Sequence, residues 1–437
     1  MRTVLREAPP PVRDAVIHQW RRSAIGYHLH DRGLPQPIWK TQGFQFTGEQ
    51  TWRMLRRMIA RSPPAPISMY VHIPFCDQRC AFCDCYSISA PRGGRLHDAY
   101  VNWLLGEIER WAGLDNLRRR PVTTVHFGGG TPNFLNFDHF QALVDVLRGH
   151  FHVTRQTEWA LETTVNLMTD DHLRSLWQMG FRRLHVGVQT LEEPLRMQIG
   201  RRETAAKVLE RIRACLRMGF ITSVDLLYGL PGETAAGFFR DLEQLMTAGV
   251  QGVSFYQFNP SRRNRRFTKR HGSEANDIWR AHALFLAADQ IMTDAGFHKN
   301  HFAHFAREAD QNRYYTHARR GEDLLALGAS ADGVLNGLHY RIPHLSAGIL
   351  KRSAAFPALQ GGVMETASGK IPSGLVDQLM TGSIGLFRVK SKSLAALVDR
   401  WRAYGLIQPH PSKPGEFQLT SSGSWLICAM IRELKLI

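Results

Sequence analysis

Tyr70-Val-His-Ile-Pro-Phe-Cys-Asp-Gln-Arg-Cys-Ala-Phe-Cys-Asp-Cys-Tyr-Ser87 joins a short apolar strand to a loop that carries Cys76, Cys80, Cys83 and Cys85. Four of the chain's six cysteines sit in this one loop, and no histidine or second cysteine pair elsewhere completes a zinc pattern. Three thiolates at so tight a spacing suit an iron–sulfur cluster better than a structural zinc. A cluster with three protein ligands leaves one iron open, much as a catalytic metal site keeps a coordination position for its substrate.

Outward from this loop, Ser68 to Ile73 is the first strand of a β/α alternation. Further strands are expected at Val122 to Phe127, Glu158 to Glu162, Arg183 to Val188, Thr222 to Leu227 and Val253 to Phe258. Helices are expected between them at Leu96 to Trp111, Phe137 to Leu147, Asp170 to Met179, Ala205 to Met218 and Ala236 to Ala248. Six such units, roughly 30 residues apart, predict an α/β fold whose parallel sheet curls into a partial (β/α)6 barrel over residues 67–260. In such folds the reactive groups stand on loops at the carboxyl ends of the strands. Residues 1–66 read as a helical, basic lid ending in the stiff connector Ser62-Pro-Pro-Ala-Pro66. Residues 261–362 read as a barrel extension with substrate-side elements, and 363–437 as a small winged-helix-like α+β domain, which by itself does not mean DNA binding.

The chain has 437 residues, enough for two or three domains, and 55 Lys and Arg against 38 Asp and Glu give a formal charge of +17. That excess favours acidic partners: a flavodoxin, carboxylated substrates or nucleic acid. No stretch approaches the roughly 18 to 20 apolar residues that span a bilayer, and the first residues lack a signal-peptide core, so a cytoplasmic protein without membrane attachment is expected. Cys215 and Cys428 fall in helical contexts and read as buried apolar residues.

Gly128-Gly-Gly-Thr-Pro132 directly follows a strand, where glycines let the backbone approach a ligand and offer amide and carbonyl groups to an amine and a carboxylate. Glu162, Gln189 and Asp225 each stand near a strand end. Singly they would read as solvated or capping groups; together they read as a site.

The Cys-x3-Cys-x2-Cys spacing after Tyr-x-His-Ile-Pro-Phe resembles that of the radical S-adenosylmethionine (radical SAM) superfamily, in the branch of oxygen-independent coproporphyrinogen III oxidase. The resemblance runs from Tyr70 to Asp332 through Gly128 to Pro132, Glu162, Gly187-Val-Gln189, Ile199-Gly-Arg201 and Asp225-Leu-Leu-Tyr-Gly-Leu-Pro-Gly-Glu-Thr234. It implies that Cys76, Cys80 and Cys83 hold a 4Fe-4S cluster whose open iron chelates S-adenosylmethionine, which one electron cleaves to a 5′-deoxyadenosyl radical. It further implies that Tyr70 and Phe82 pack around the cofactor, that Gly129, Gly130 and Thr131 hold its methionyl part, and that Glu162, Gln189, Arg201 and Asp225 contact its polar groups. Cys85 is assigned a substrate-side catalytic role, and Glu162 a second one beside a second S-adenosylmethionine.

In length and layout the chain most resembles the class C methyltransferases and cyclopropanases of this superfamily. That implies transfer of a methyl or methylene carbon to an unsaturated carbon of a heteroaromatic or conjugated natural product, with a flavodoxin or ferredoxin as electron donor and a downstream methyltransferase acting on the same substrate. The alternatives are oxidative decarboxylation of coproporphyrinogen III and a haem-trafficking chaperone. Residues 1–66 lack the oxidase's Tyr-Thr-Ser-Tyr-Pro-Thr-like leader. In Gln311-Asn-Arg-Tyr-Tyr-Thr316, Gln replaces the chaperone's haem-ligand His and Thr replaces its Trp. The leader His28-Leu-His-Asp-Arg-Gly-Leu-Pro-Gln-Pro-Ile-Trp39 loosely resembles those of the methylases. His298, His301 and His304, three apart, could share a helical face and are expected to line a substrate pocket; the run Arg262 to Arg270 reads as a solvated loop. No nucleic-acid partner is expected.

Overall fold

The computed structural model describes residues 2–23, 45–271, 277–352, 354–364, 373–385 and 391–434. The leader at 28–39 lies outside the described residues.

Alternation of apolar and polar residues turns six segments into parallel strands that neighbour one another in chain order: β1 (Ile67–Ile73), β2 (Val122–Gly129), β3 (Glu158–Thr163), β4 (Arg183–Gln189), β5 (Ile221–Tyr228) and β6 (Gly252–Gln257). One face of the sheet carries Met69, Val71, Val125, Phe127, Leu161, Leu184, Val186, Val224 and Val253, all buried. Five crossover helices cover that face: Arg95–Ala112, Phe137–His150, Asp170–Gln178, Ala205–Arg217 and Ala235–Ala248. Asn136, Thr169, Thr204 and Thr234 start four of them by accepting a backbone N–H three residues on, each such cap stabilising by about 1 kcal/mol. The expected alternation is therefore found, with ends displaced by one to three residues.

The sheet continues beyond the six strands to thirteen. Leu324–Leu327 joins β1 in parallel, and 332–335, 338–341, 361–364 and 46–47 follow it antiparallel. At the other edge, the hairpin His298–His301/His304–Ala306 pairs antiparallel to β6. The three histidines thus lie on a hairpin rather than a helix, because two apolar-flanked segments with a tight turn at 302–303 complete the sheet edge. Arg265–His271 forms a helix, not the expected loop, since Phe267 buries against Phe258 with ring centroids 5.5 Å apart.

Helices Arg2–Glu7 and Pro10–Ser23 pack on Ala235–Ala248 and Ile278–Asp294. Beyond residue 373 come helix Ser373–Met380, helix Lys392–Ala403, a three-stranded sheet ordered 383–385, 416–419, 407–409, and helices 421–425 and 427–434. Trp425 ties this unit to the barrel, stacking on His282 at 4.4 Å and donating its Nε1–H to the Tyr228 hydroxyl at 3.1 Å. No helix among the described residues is long and apolar enough to cross a membrane.

Candidate functional site

Beyond β1 the chain enters the cysteine loop, pinned at its base where Phe75–Cys76 pairs with Ile88–Ser89. Side chains from elsewhere hold its carbonyls: Asn264 Nδ2 donates to Phe82 O at 3.0 Å and Arg263 Nη1 to Cys85 O at 2.8 Å. The Ala81 N–H donates to Ile199 O at 3.1 Å. With the backbone so held, Cys76, Cys80, Cys83, Cys85 and Phe82 all line one open cavity. Burial pushes the Cys76 and Cys80 thiols up, whereas Cys83 is lowered to about 6 chiefly because the Cys85 thiol donates to it; the same bond raises Cys85.

Gly129, Gly130, Thr131, Glu162, Gln189, Arg201 and Asp225 line the same cavity. The glycine run serves close packing first: a Cβ on Gly128 would stand 2.6 Å from Glu162 Oε1, and one on Gly130 would stand 2.9 Å from Cys76 Sγ. Glu162 accepts from the Gly129 N–H at 3.1 Å and lies 3.0 Å from His126 Nε2. The N–H groups of Gly130 and Thr131 donate to Ile73 O and Phe75 O, both at 2.8 Å. The amides expected to grip a methionyl carboxylate are therefore committed within the protein.

Gln189 adopts φ 72°, a left-handed conformation that is costly for a side-chain-bearing residue and needs support from its surroundings. Two buried groups provide it. Arg196 donates Nη1 to Val188 O at 3.0 Å and to Thr190 O at 2.7 Å, and Asp241 accepts from Thr190 Oγ1 at 2.7 Å and from the Leu191 N–H at 2.9 Å. Neither residue was picked out from the sequence, because both act on the backbone of an irregular loop. Glu233 of the Gly-Leu-Pro-Gly-Glu-Thr run is likewise structural: it accepts from the Gly229 N–H at 2.8 Å and faces Arg280.

Tyr70 faces the barrel interior, stacked on His126 and on Tyr314 from helix Arg313–Arg319 and within electrostatic reach of Glu162 and Cys85 on the cavity lining. The inward face of the strands is polar, carrying Tyr70, His72, His126, Glu162, His185, Asp225, Ser254 and Tyr256, where closed βα barrels usually pack branched aliphatics. His185 is buried, lines the cavity, and is held neutral by that burial well below the usual imidazole range. Burial, reinforced by Glu162, pushes Asp225 up to about 7.

These residues fit a cluster and an amino-acid-bearing cofactor. Three thiols share one cavity with Arg201, which lies against Cys80 and has a buried Nε without a hydrogen-bond partner. Among the described residues no three His, Cys, Asp or Glu side chains are drawn together as they would be around one ion. A cluster whose thiolates hold different irons does not require that convergence. The hairpin histidines are engaged otherwise: His301 stacks on Tyr315 at 4.5 Å and His304 bonds Ser254 and Asp310, while His298 is exposed.

Residues 70–245 match the family model described as the radical SAM superfamily. The oxygen-independent coproporphyrinogen III oxidase of Salmonella typhimurium is 31% identical over 62% of this chain and 62% of its own length, so the match spans less than two thirds of that enzyme. Heme chaperone HemW of Escherichia coli is 27% identical over 61% of this chain and 70% of its own. The solved structure of Escherichia coli coproporphyrinogen III oxidase (HemN), a radical SAM enzyme, has a TM-score of 0.76 at 22% identity, covering 91% of this chain and 96% of the other, a likeness of fold.

Proposed function

Since residues 70–245 match the radical SAM superfamily model, we propose that this chain is a radical SAM enzyme that acts on a carboxylated tetrapyrrole, as oxygen-independent coproporphyrinogen III oxidase does on its substrate. What carries the reading is one cavity lined by Cys76, Cys80 and Cys83 together with Glu162, Gln189, Arg201 and Asp225. Cys76, Cys80 and Cys83 would hold the 4Fe-4S cluster, which when bound supplies the electron for reductive cleavage of S-adenosylmethionine and hence hydrogen abstraction from a substrate C–H bond.

The chain's own residues do the rest. Arg201 offers its unpartnered Nε to a carboxylate, and Glu162, fixed by Gly129 and His126, offers an anion to an amino or hydroxyl group. Phe82 supplies an apolar wall, which helps to keep water from the reacting centre. Arg79 and Arg202 set positive charge on the cavity lining, matched to substrate carboxylates. The named activities of the oxidase and HemW both concern tetrapyrroles, which supports that substrate class.

A second reading, one-carbon transfer from a second S-adenosylmethionine, is favoured by Cys85, a fourth thiol on the cavity wall beyond the three that a cluster needs. Anaerobic turnover of coproporphyrinogen III with methyl-labelled S-adenosylmethionine separates the readings. Carbon dioxide release with no label in the porphyrin supports the first, and label in the product supports the second. Stoichiometric haem binding without 5′-deoxyadenosine formation would refute both and leave a trafficking role.

A further inference from the structure

The basic run Arg262 to Arg270 adjoins the cysteine loop, and the proposed chemistry leaves it unused. Residues 262–271 carry five arginines and one lysine, and no Asp or Glu. Successive residues of a helix advance by roughly 100°, so in helix Arg265–His271 the side chains of Arg265, Arg266, Lys269 and Arg270 share an arc of roughly 140°, while Phe267 and His271 point the other way. All four basic side chains are exposed, and none has an ion-pair partner among the described residues. Even when both exposed acids of the cysteine loop, Asp77 and Asp84, are counted against it, the surface stays positive. None of residues 262–271 lines the cavity, so an anion drawn to this face is not one held at the reacting centre.

The face stands on the packing that supports the thiols. Phe267, on the opposite side of the helix, joins Ile199, Leu227, Leu230 and Phe258 in a small apolar cluster, and Ala81 and Phe82 of the cysteine loop pack against the same cluster. Asn264, next before the helix, donates to Phe82 O, and Arg263 donates to Cys85 O. Phe82 lies between Cys80 and Cys83 in the chain, so the helix reaches the backbone that carries the thiols directly. At the other end of the helix His271 Nε2 lies 3.4 Å from Gln198 Nε2, and the neighbouring Met197 is 64% exposed, more than any other large apolar side chain described. A solvent-facing methionine beside fixed charge offers what a transient protein interface uses, an adaptable apolar centre with a polar rim.

We propose that helix Arg265–His271, with Met197 beside it, is the docking face for an acidic protein that carries a one-electron cofactor. The proposal rests on the reading of Cys76, Cys80 and Cys83 as holders of a redox cluster, and it adds where the electron comes in. One electron leaves the reduced carrier and arrives at the cluster; no bond forms or breaks, and no proton moves. Opposite charge steers such encounters and speeds them at low salt. Electron-transfer pairs meet over small faces, below about 1,200 Å² in total. Four basic side chains on a helix about 10 Å long match that scale. A nucleic-acid partner engages about six to ten phosphates, more than this face supplies, and gives Met197 no counterpart.

The test measures binding of a purified acidic flavodoxin to the full-length protein by titration calorimetry at low salt, then anaerobic cluster reduction by the same flavodoxin and by photoreduced deazaflavin, a small donor that needs no docking face. Reversing the four charges together, Arg265→Glu, Arg266→Glu, Lys269→Glu and Arg270→Glu, should weaken binding at least tenfold, flatten its salt dependence and slow reduction by flavodoxin as much, with the deazaflavin rate unchanged. Met197→Asp should give a smaller loss, about threefold, in both flavodoxin readouts. Should the reversed variant fail to fold, the four corresponding substitutions to Gln decide, with a loss of at least about threefold expected. Wild-type affinity in the charge variant overturns the docking face, and so does equal slowing with deazaflavin, which would make the helix a support of the cysteine loop. An RNA that binds the wild-type protein more tightly than flavodoxin at the same salt, and loses its binding in the variant, overturns it in favour of a nucleic-acid face. Calorimetry needs no turnover, so a wild-type protein that binds flavodoxin but forms no 5′-deoxyadenosine with deazaflavin refutes the proposed function and leaves the docking face standing. One that forms 5′-deoxyadenosine with deazaflavin but does not bind flavodoxin overturns the docking face alone.

Discussion

Two loops face each other across the cavity and are held in opposite ways. The cysteine loop is fixed through its carbonyls by Asn264 and Arg263, with the Ala81 N–H and Gln78 Nε2 donating across to Ile199 O and Gly200 O, and presents its thiols inward. The Gln189 loop is fixed by buried charge, with Arg196 and Asp241 clamping the residues on either side of a strained backbone. Under the proposed function the cysteine side would be completed by the cluster it binds, because metal binding and local order are coupled. The other is rigid beforehand, as a group that must meet a cofactor at fixed geometry needs to be.

The largest effect should come from breaking only the cysteine side. Cys80→Ala is expected to abolish cluster incorporation and 5′-deoxyadenosine formation, while amide exchange across 187–203 stays at wild-type protection. Faster exchange there would show that the two sides are one unit. Next, Arg196→Ala strips donors from buried carbonyls and should cost about 3 kcal/mol, read as a lowered unfolding midpoint with S-adenosylmethionine affinity falling alongside. An unchanged midpoint would mean that the strained Gln189 has other support. The smallest effect belongs to Asn264→Ala, which removes the bonds to Phe82 O and Asn259 O. About 1 kcal/mol of local stability is at stake, and iron should leave the reconstituted protein faster in the presence of a chelator.

The strands and their crossover helices were legible because alternation along β4, Leu184-His185-Val186-Gly187-Val188-Gln189, and capping residues such as Thr204 and Thr234 are local signals. The cavity wall was legible for the same reason: residues at strand ends converge once the strands are parallel. What stayed hidden depends on distant pairing. His304 meets Ser254 only because the hairpin adds to the edge of β6, and Asp310 reaches Arg183 across the barrel floor. Tyr70 takes its inward direction from its parity on β1, which turns it toward His126 and Tyr314. The polar inner faces also explain why His126 and His185 escaped notice: each reads as a solitary interruption in an apolar strand until the six inner faces are brought together.

One pairing in the sheet bears on how the molecule is made. β1, which leads into the cysteine loop, is flanked on one side by β2 and on the other by Leu324–Leu327. During synthesis from the amino terminus, β1 remains an exposed edge until residues 324–327 have left the ribosome, since loop closure over so long a span must precede that contact. The scaffold under the thiols is thus among the last parts of the sheet to be secured, and a cluster held by Cys76, Cys80 and Cys83 would be loaded onto a nearly finished chain.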